Sequence, residues 1–399
     1  MNEHAVFLLP VFALMLFSCT SSTGNTTSGK PISRPVIYDI KAPAAGNYPQ
    51  GLYKYPHKQN TSITEMFLQT LEWSPSVEKT FAVDTQYTAK LTLTPASSEY
   101  TFNGVTLENI QGLPVQNVEN ISSGMSGKNM VITFVFKKTA SVKAPPELLF
   151  VDEFNGNALD ASKWAVCPNW DRQGRSTWTS DMVSVGGGYL HLGFKRDTAL
   201  GKSKTSNTGL SNNWIKAGAV RTRNRENKIF YENTFGFYEA RLKVPKVSGM
   251  WGAFWLMSPT QWILTDEGVI GTEIDIVETI GNPKNTFNAA LHWNGYESSH
   301  KSVGSDDAIP AGINIYDGEF HTFALDWSPK EYIFYVDGVE FWRSNGSARF
   351  KNSGINQNPN YIKLTVEGAD WAGTLPSDFS EGEMLVDYVK VYNQPIIAK

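Results

Sequence analysis

Three carboxylates are threaded through apolar residues in the stretch Gly271-Thr272-Glu273-Ile274-Asp275-Ile276-Val277-Glu278-Thr279. Successive side chains of a strand point to opposite faces, so Glu273 and Asp275 share one face and Ile274 and Ile276 the other. Strict alternation sends Glu278 to the wrong side, and one extra residue accommodated as a β-bulge turns it back onto the Glu273 face. Carboxylates that close raise one another's pKa values. A reaction that wants one acid ionised and another protonated at the same pH uses that cost. Hydrolysis of a glycosidic bond with retention is such a reaction: one carboxylate attacks the anomeric carbon, and a second, about 5–5.5 Å away, protonates the leaving oxygen. A solvated strand face or a cation site accounts for the same three acids.

The neighbours decide between these readings. Upstream lies Met250-Trp251-Gly252-Ala253-Phe254-Trp255-Leu256-Met257, and Trp251 and Trp255, four apart on one strand face, offer flat apolar surface with an N–H handle, suited to sugar rings or to a core. Downstream, Leu291-His292-Trp293-Asn294 adds an imidazole and another indole. With these segments the sequence resembles glycoside hydrolase family sixteen, whose signature is E-[ILV]-D-x-x-E after G-x-W-x-A-F-W. The resemblance runs from about Leu149 to Tyr392 and includes Asp152-Glu153-Phe154-Asn155, Tyr238-Glu239-Ala240-Arg241, Phe320-His321-Thr322 and Val386-Asp387-Tyr388-Val389-Lys390-Val391-Tyr392.

The resemblance implies that Glu273 is the nucleophile, Glu278 the acid/base, and Asp275 a hydrogen-bonding partner that sets the charge and orientation of Glu273. It further implies that Trp251 and Trp255 line the cleft, that Arg221 contacts substrate hydroxyls, and that Glu153 and Asp387 help hold a structural calcium, with no cofactor for catalysis. His292, fourteen positions past Glu278, reads as a group hydrogen-bonding into the cleft, against the default of a core histidine. Glu367 and Trp371 are expected at the cleft rim.

These residues need a scaffold. Strand-like runs bounded by turn signals recur after Leu149, among them Gly236 to Leu242 and Tyr332-Ile333-Phe334-Tyr335-Val336, the latter followed by the hairpin step Asp337-Gly338. Long amphipathic helical periodicity is absent. The expectation is an all-β chain in which residues 146–393 form a β-jelly-roll sandwich with a concave cleft, as the resemblance implies. From 34 to 145, runs such as Tyr87-Thr88-Ala89-Lys90-Leu91-Thr92-Leu93 and Met130 to Phe136 read as a smaller immunoglobulin-like β-sandwich, a spacer or a carbohydrate-binding module. Ala144-Pro145-Pro146 stiffens the junction.

Composition narrows the function. A formal charge of −4 without a long basic run speaks against nucleic acid as partner. Twelve Trp suggest rings on a binding surface. The apolar run Ala5 to Phe17 has the length of a secretory h-region rather than a membrane span, and Leu16-Phe17-Ser18-Cys19 resembles a bacterial lipobox, although Asn2-Glu3-His4 carries no Lys or Arg. The expectation is therefore a signal peptide over 1–19, lipidation at Cys19, and a flexible Ser/Thr/Gly/Asn tether over 20–33. Such a chain is exported, lipid-anchored to the cell envelope or secreted, and monomeric. Cys167 reads as a free buried thiol.

The leading expectation is a retaining endo-glycosidase acting on a β-1,3 or mixed-linkage β-1,3/1,4-glucan. Thr272, standing where laminarinases carry Gly, weakens the glucan reading. Trp170-Asp171-Arg172-Gln173-Gly174-Arg175 and Arg221-Thr222-Arg223-Asn224-Arg225 suggest an alternative, recognition of sulfate on a galactan such as agarose, porphyran or carrageenan. A lectin-like protein could use the same sandwich without turnover, but would not need Glu273 and Glu278 together.

Overall fold

The computed structural model describes residues 29–37, 40–51, 53–54, 67–114, 116–172, 175–204, 213–264, 268–280, 286–306, 309–344 and 354–396. The proposed signal peptide, Cys19 and most of the tether lie outside them. Alternation of apolar and polar residues governs the described chain: Gly236–Lys243, Tyr189–Arg196 and Asn129–Phe136 each bury every second residue. The one α-helix among the described residues, Thr198–Lys204, is seven residues long.

Two sheets build the larger unit. The outer one, eleven strands among the described residues, is centred on the long strand Glu381–Tyr392, which pairs with Tyr189–Arg196, Gly236–Lys243 and Leu148–Asp152. The inner one runs in the order Lys301–Gly304, Phe287–Trp293, Thr272–Thr279, Met250–Met257, Tyr361–Gly368, Ala219–Arg221, Ala165–Val166. Between them lies one continuous core that includes Phe254, Ile274, Val277, Leu364, Val389 and Val391. Asp337 and Gly338 both have positive φ (47° and 76°) and close the hairpin as a two-residue turn, as their sequence indicates.

The smaller unit differs in part from the sandwich expected. Among the described residues it is one five-stranded antiparallel sheet with a two-stranded parallel ribbon, Lys30–Pro31 on Tyr100–Thr101, over its apolar face. That ribbon begins inside the stretch read as tether, because Ile32 is fully buried with Phe102, Leu91 and Phe134. The unit is also fastened to the larger one. The Tyr48 hydroxyl donates to Asp326 Oδ1 at 2.7 Å, Lys79 Nζ lies 2.7 Å from Asp326 Oδ2, and the Tyr48 N–H donates to the Asn393 carbonyl. With Asp326 2% exposed, these bonds are shielded from water.

Most of the twelve Trp serve the core rather than a surface. Trp164, Trp178, Trp214, Trp255, Trp293, Trp327 and Trp342 are buried, and among the tryptophans only Trp262 and Trp371 are exposed.

Candidate active site

Thr272–Thr279 is a central strand of the inner sheet, and the bulge expected from its sequence is present. Asp275 pairs with Ala290 and Glu278 with Asn288, so Ile276 and Val277 together oppose the single residue Ala289. On the other side Val277 pairs with Phe254 and Asp275 with Trp255, leaving Ile276 as the extra residue. The register shift restores Glu278 to the face of Glu273 and Asp275. One oxygen each of Asp275 and Glu278 and one nitrogen of His292 lie within 4.8 Å of one another.

Neighbouring strands present matched residues on that face. Arg221 pairs with Lys363, Lys363 with Trp255, and Trp255 with Asp275, making one continuous row; Glu367 pairs with Trp251 four residues along, and Glu273 with His292 on the far side.

Burial dominates the electrostatics. It pushes Glu273 up to about 7, offset by a hydrogen bond from Tyr296 and by the charges of Lys363 and Arg172. Glu278 rises to about 8, by burial first and by the charge of Glu273 second, while Asn288 and the Trp251 indole pull it back. Lys363, Arg172 and the Tyr296 hydroxyl favour ionisation of Glu273, and its charge in turn favours the protonated form of Glu278, as the roles read from the motif require. Asp275 is held well above the carboxylate range by burial and both glutamates. His292 is pushed down to about 4 by burial, so it is neutral at ordinary pH, with Nε2 3.3 Å from Asp275 Oδ2 and Nδ1 3.0 Å from His300 Nε2.

Several expected contacts are replaced by others. No hydrogen bond joins Asp275 to Glu273; the Tyr296 hydroxyl donates to Glu273 Oε1 instead. Trp255 is not open to a sugar, because Lys363 Nζ sits 3.6 Å from its ring centroid and its own Nε1 donates to Thr365 Oγ1. Glu367 lies on the cleft floor rather than at the rim, fully buried and accepting from Arg172 Nε at 3.1 Å. Trp371 is at the rim, half exposed, edge-on to the half-buried Trp251 at 4.8 Å. Together these two indoles form the aromatic wall expected of Trp251 and Trp255.

The basic segments separate in the same way. Arg175 spends its guanidinium on the carbonyls of Gly249, Ala369 and Gly373, and Arg223 pairs with Glu232 at 3.1 Å. Arg172, Arg221 and Arg225 instead turn toward the Trp170 ring, at 6.0, 5.5 and 4.6 Å, and Lys363 joins them at 5.7 Å. Lys363 was not anticipated, nor was Tyr296. The signal for the first was present in Tyr361-Ile362-Lys363-Leu364-Thr365-Val366-Glu367, whose alternation puts a lysine on the cleft face.

Glu153 and Asp387 do not make a site for a dication as they stand. Glu153 Oε1 is 3.0 Å from Lys390 Nζ and Asp387 Oδ2 is 2.6 Å from Arg241 Nη1, so each carboxylate already has a cation. A chelator is therefore expected to leave the melting temperature unchanged. A fall of several degrees, with metal found in the purified protein, would return calcium to this edge of the fold.

A family model described as β-porphyranase A–D, GH16 domain, matches residues 149–394. The chain belongs to glycoside hydrolase family sixteen. It is 28% identical over 165 residues to the endo-1,3-1,4-β-glycanase ExsH of Rhizobium meliloti, a match that covers 41% of this chain and 31% of that protein. It thus spans about a third of that relative's length. It is 28% identical over 265 residues to β-porphyranase E of Zobellia galactanivorans, covering 61% of this chain and 85% of the other. The laminarinase catalytic domain of Thermotoga maritima shares the fold, with a TM-score of 0.51 at 22% identity over 63% of this chain and all of that one.

Proposed function

We propose that this member of family sixteen is a retaining endo-glycosidase of a sulfated β-galactan, exported and anchored through Cys19. Glu273 attacks the anomeric carbon, Glu278 donates a proton to the leaving oxygen, and water then resolves the glycosyl-enzyme with Glu278 as base. The carbohydrate stacks along Trp251 and Trp371.

One observation carries the choice of substrate. Arg172, Arg221, Arg225 and Lys363 converge on Trp170 beside the catalytic row, and Lys363, 2% exposed, is pushed down to about 7 by burial and by the charge of Arg172. Among the described residues, Arg221, Arg225 and Lys363 have no carboxylate within ion-pair distance. Glu273 and Glu367 act on Lys363 only from beyond that distance, and burying an ammonium without a contacting anion costs several kcal/mol. A neutral glucan returns none of that cost, whereas a sulfate ester offers fixed charge to the guanidinium forks. The porphyranase-type family match supports the same reading. The β-glucan reading draws its support from the glycanase relative.

Both readings face one experiment, in which the purified protein is incubated with porphyran, agarose, carrageenan, laminarin and lichenan and the products are sized. Porphyran or another sulfated galactan is expected to be cleaved best. Lys363→Met is expected to lower kcat/KM on it by roughly 10–100-fold, the scale of a lost charge-assisted hydrogen bond. Cleavage of laminarin with sulfated galactans untouched would transfer the assignment to the glucans, and no cleavage at all would favour a glycan-binding protein.

A further inference from the structure

Among the described residues, Glu273 takes its one hydrogen bond from Tyr296 rather than from the acid row. The route to that contact is visible in the backbone. After the strand Phe287–Trp293, Asn294 and Gly295 both adopt positive φ (65° and 69°), and the Gly295 N–H donates to the Gln261 carbonyl at 3.0 Å. A Cβ on Gly295 would run into the Trp262 ring, so the turn closes against that indole. The turn returns Tyr296 over the strand that carries Glu273.

The Tyr296 ring is then held from three sides. Trp262 meets it edge-on at 5.8 Å, His300 lies 5.1 Å away, and His292 6.1 Å away. Tyr296 is 48% exposed while its hydroxyl reaches the buried Glu273 carboxylate. The second oxygen of that carboxylate, Oε2, is buried and has no hydrogen-bond partner. Glu278 is placed differently, with Asn288 and the Trp251 indole favouring its ionised form but the indole N–H left without a hydrogen-bond partner. The two glutamates therefore differ in the donors that face them.

We propose that Tyr296 is the positioning residue for the nucleophile, anchoring the Glu273 carboxylate through Oε1. This rests on the retaining-glycosidase reading. In the first step a lone pair of the Glu273 carboxylate forms a bond to the anomeric carbon, the bond from that carbon to the leaving oxygen breaks, and the Glu278 proton passes to that oxygen. The glycosyl ester that results stays within reach of the tyrosine hydroxyl. In the second step water, deprotonated by Glu278, displaces Glu273 as a carboxylate, and the same hydroxyl receives the charge returning to it. An O–H donor fixed in place at both stages needs no reorganisation.

The charges around Glu273 bear on the test. Lys363 from one strand and Arg172 from the edge favour its ionised form, while Glu367, Asp275 and Glu278 oppose it, and His292 opposite is neutral. Tyr296 supplies the largest of the favourable contributions. Tyr296→Phe removes the hydroxyl and keeps the ring stack. It is expected to lower kcat by roughly 10–100-fold on the cleaved polysaccharide, the scale of a hydrogen bond to a charged group, with KM little changed. The acid limb of the kcat/KM profile should also move to higher pH, so that the bell narrows against the Glu278 limb.

A melting curve separates positioning from fold maintenance, since a ring that merely props the loop would lower the melting temperature without moving the acid limb. Wild-type protein that cleaves polysaccharide, together with a Tyr296→Phe variant showing unchanged kcat and an unchanged acid limb, overturns the proposal and leaves the glycosidase reading intact. Wild-type protein inert on every polysaccharide removes the glycosidase reading itself, and this proposal with it.

Discussion

Glu273→Gln is expected to abolish turnover by several orders of magnitude while the protein keeps its fold and still binds polysaccharide. The amide has nearly the shape of the carboxylate and can still accept from Tyr296, but it cannot attack as an anion. The same change should alter stability in a pH-dependent way. The folded-state value of Glu273 is raised to about 7, against an unfolded value near about 4.3. Between those limits the native state binds more protons than the unfolded one, so this group's contribution to stability falls as pH rises toward 7 and stays low above it. Gln carries no such penalty. The variant should therefore melt above the parent at pH 8 and level with it near pH 4, less whatever Lys363 and Arg172 lose with their anion. Calorimetry at the two pH values and a rate assay decide the matter. Near-normal turnover would remove Glu273 from the nucleophile's place.

The bulge was legible because an alternation rule and a chemical requirement collided over two residues. Glu273 and Glu278 stand an odd number of steps apart, and only an inserted residue reconciles that spacing with a shared face. The aromatic wall was half legible. Trp251 and Trp255 do share a face, but spacing cannot say which ring a neighbouring strand will cover, and Lys363 covers Trp255. The same limit hid the basic cluster. The segments of Arg172 and Arg221 could be read singly for sulfate, but Arg172 belongs to the eleven-stranded sheet and Arg221 and Lys363 to the seven-stranded one, so their meeting, and the part of Lys363 in it, had to be seen.

Tyr296 was illegible for a different reason. It sits in a turn, where side-chain direction follows φ values at Asn294 and Gly295 rather than a period. The attachment of the smaller unit escaped likewise, since Tyr48 lies in irregular chain and meets Asp326 across a long separation in sequence. Local pattern identified strands and the acid row; contacts between distant segments had to be seen.

The second large effect concerns Glu278. Replacing it by Ala removes the proton donor, and general acid catalysis is typically worth roughly 10²–10⁴-fold. The loss should reach that scale on polysaccharide, whose leaving sugar alkoxide needs the proton. An aryl glycoside whose phenolate leaves unaided should lose far less in the first step, so that the glycosyl-enzyme accumulates. With Glu278 gone, water also lacks its base, and the space beside Asn288 and Trp251 is open to a small anion. Added azide should then speed turnover and give a product of β configuration, because it attacks the covalent intermediate on the face that water normally uses. The acid/base limb should vanish from the pH profile, leaving the ionisation of Glu273, itself lowered because the like charge of Glu278 no longer opposes it. An α-configured azide, or an α-anomer appearing first in the wild-type digest by NMR, would mean a single displacement. In that case Glu273 would serve as a base toward water, and Tyr296 would orient a base rather than a nucleophile.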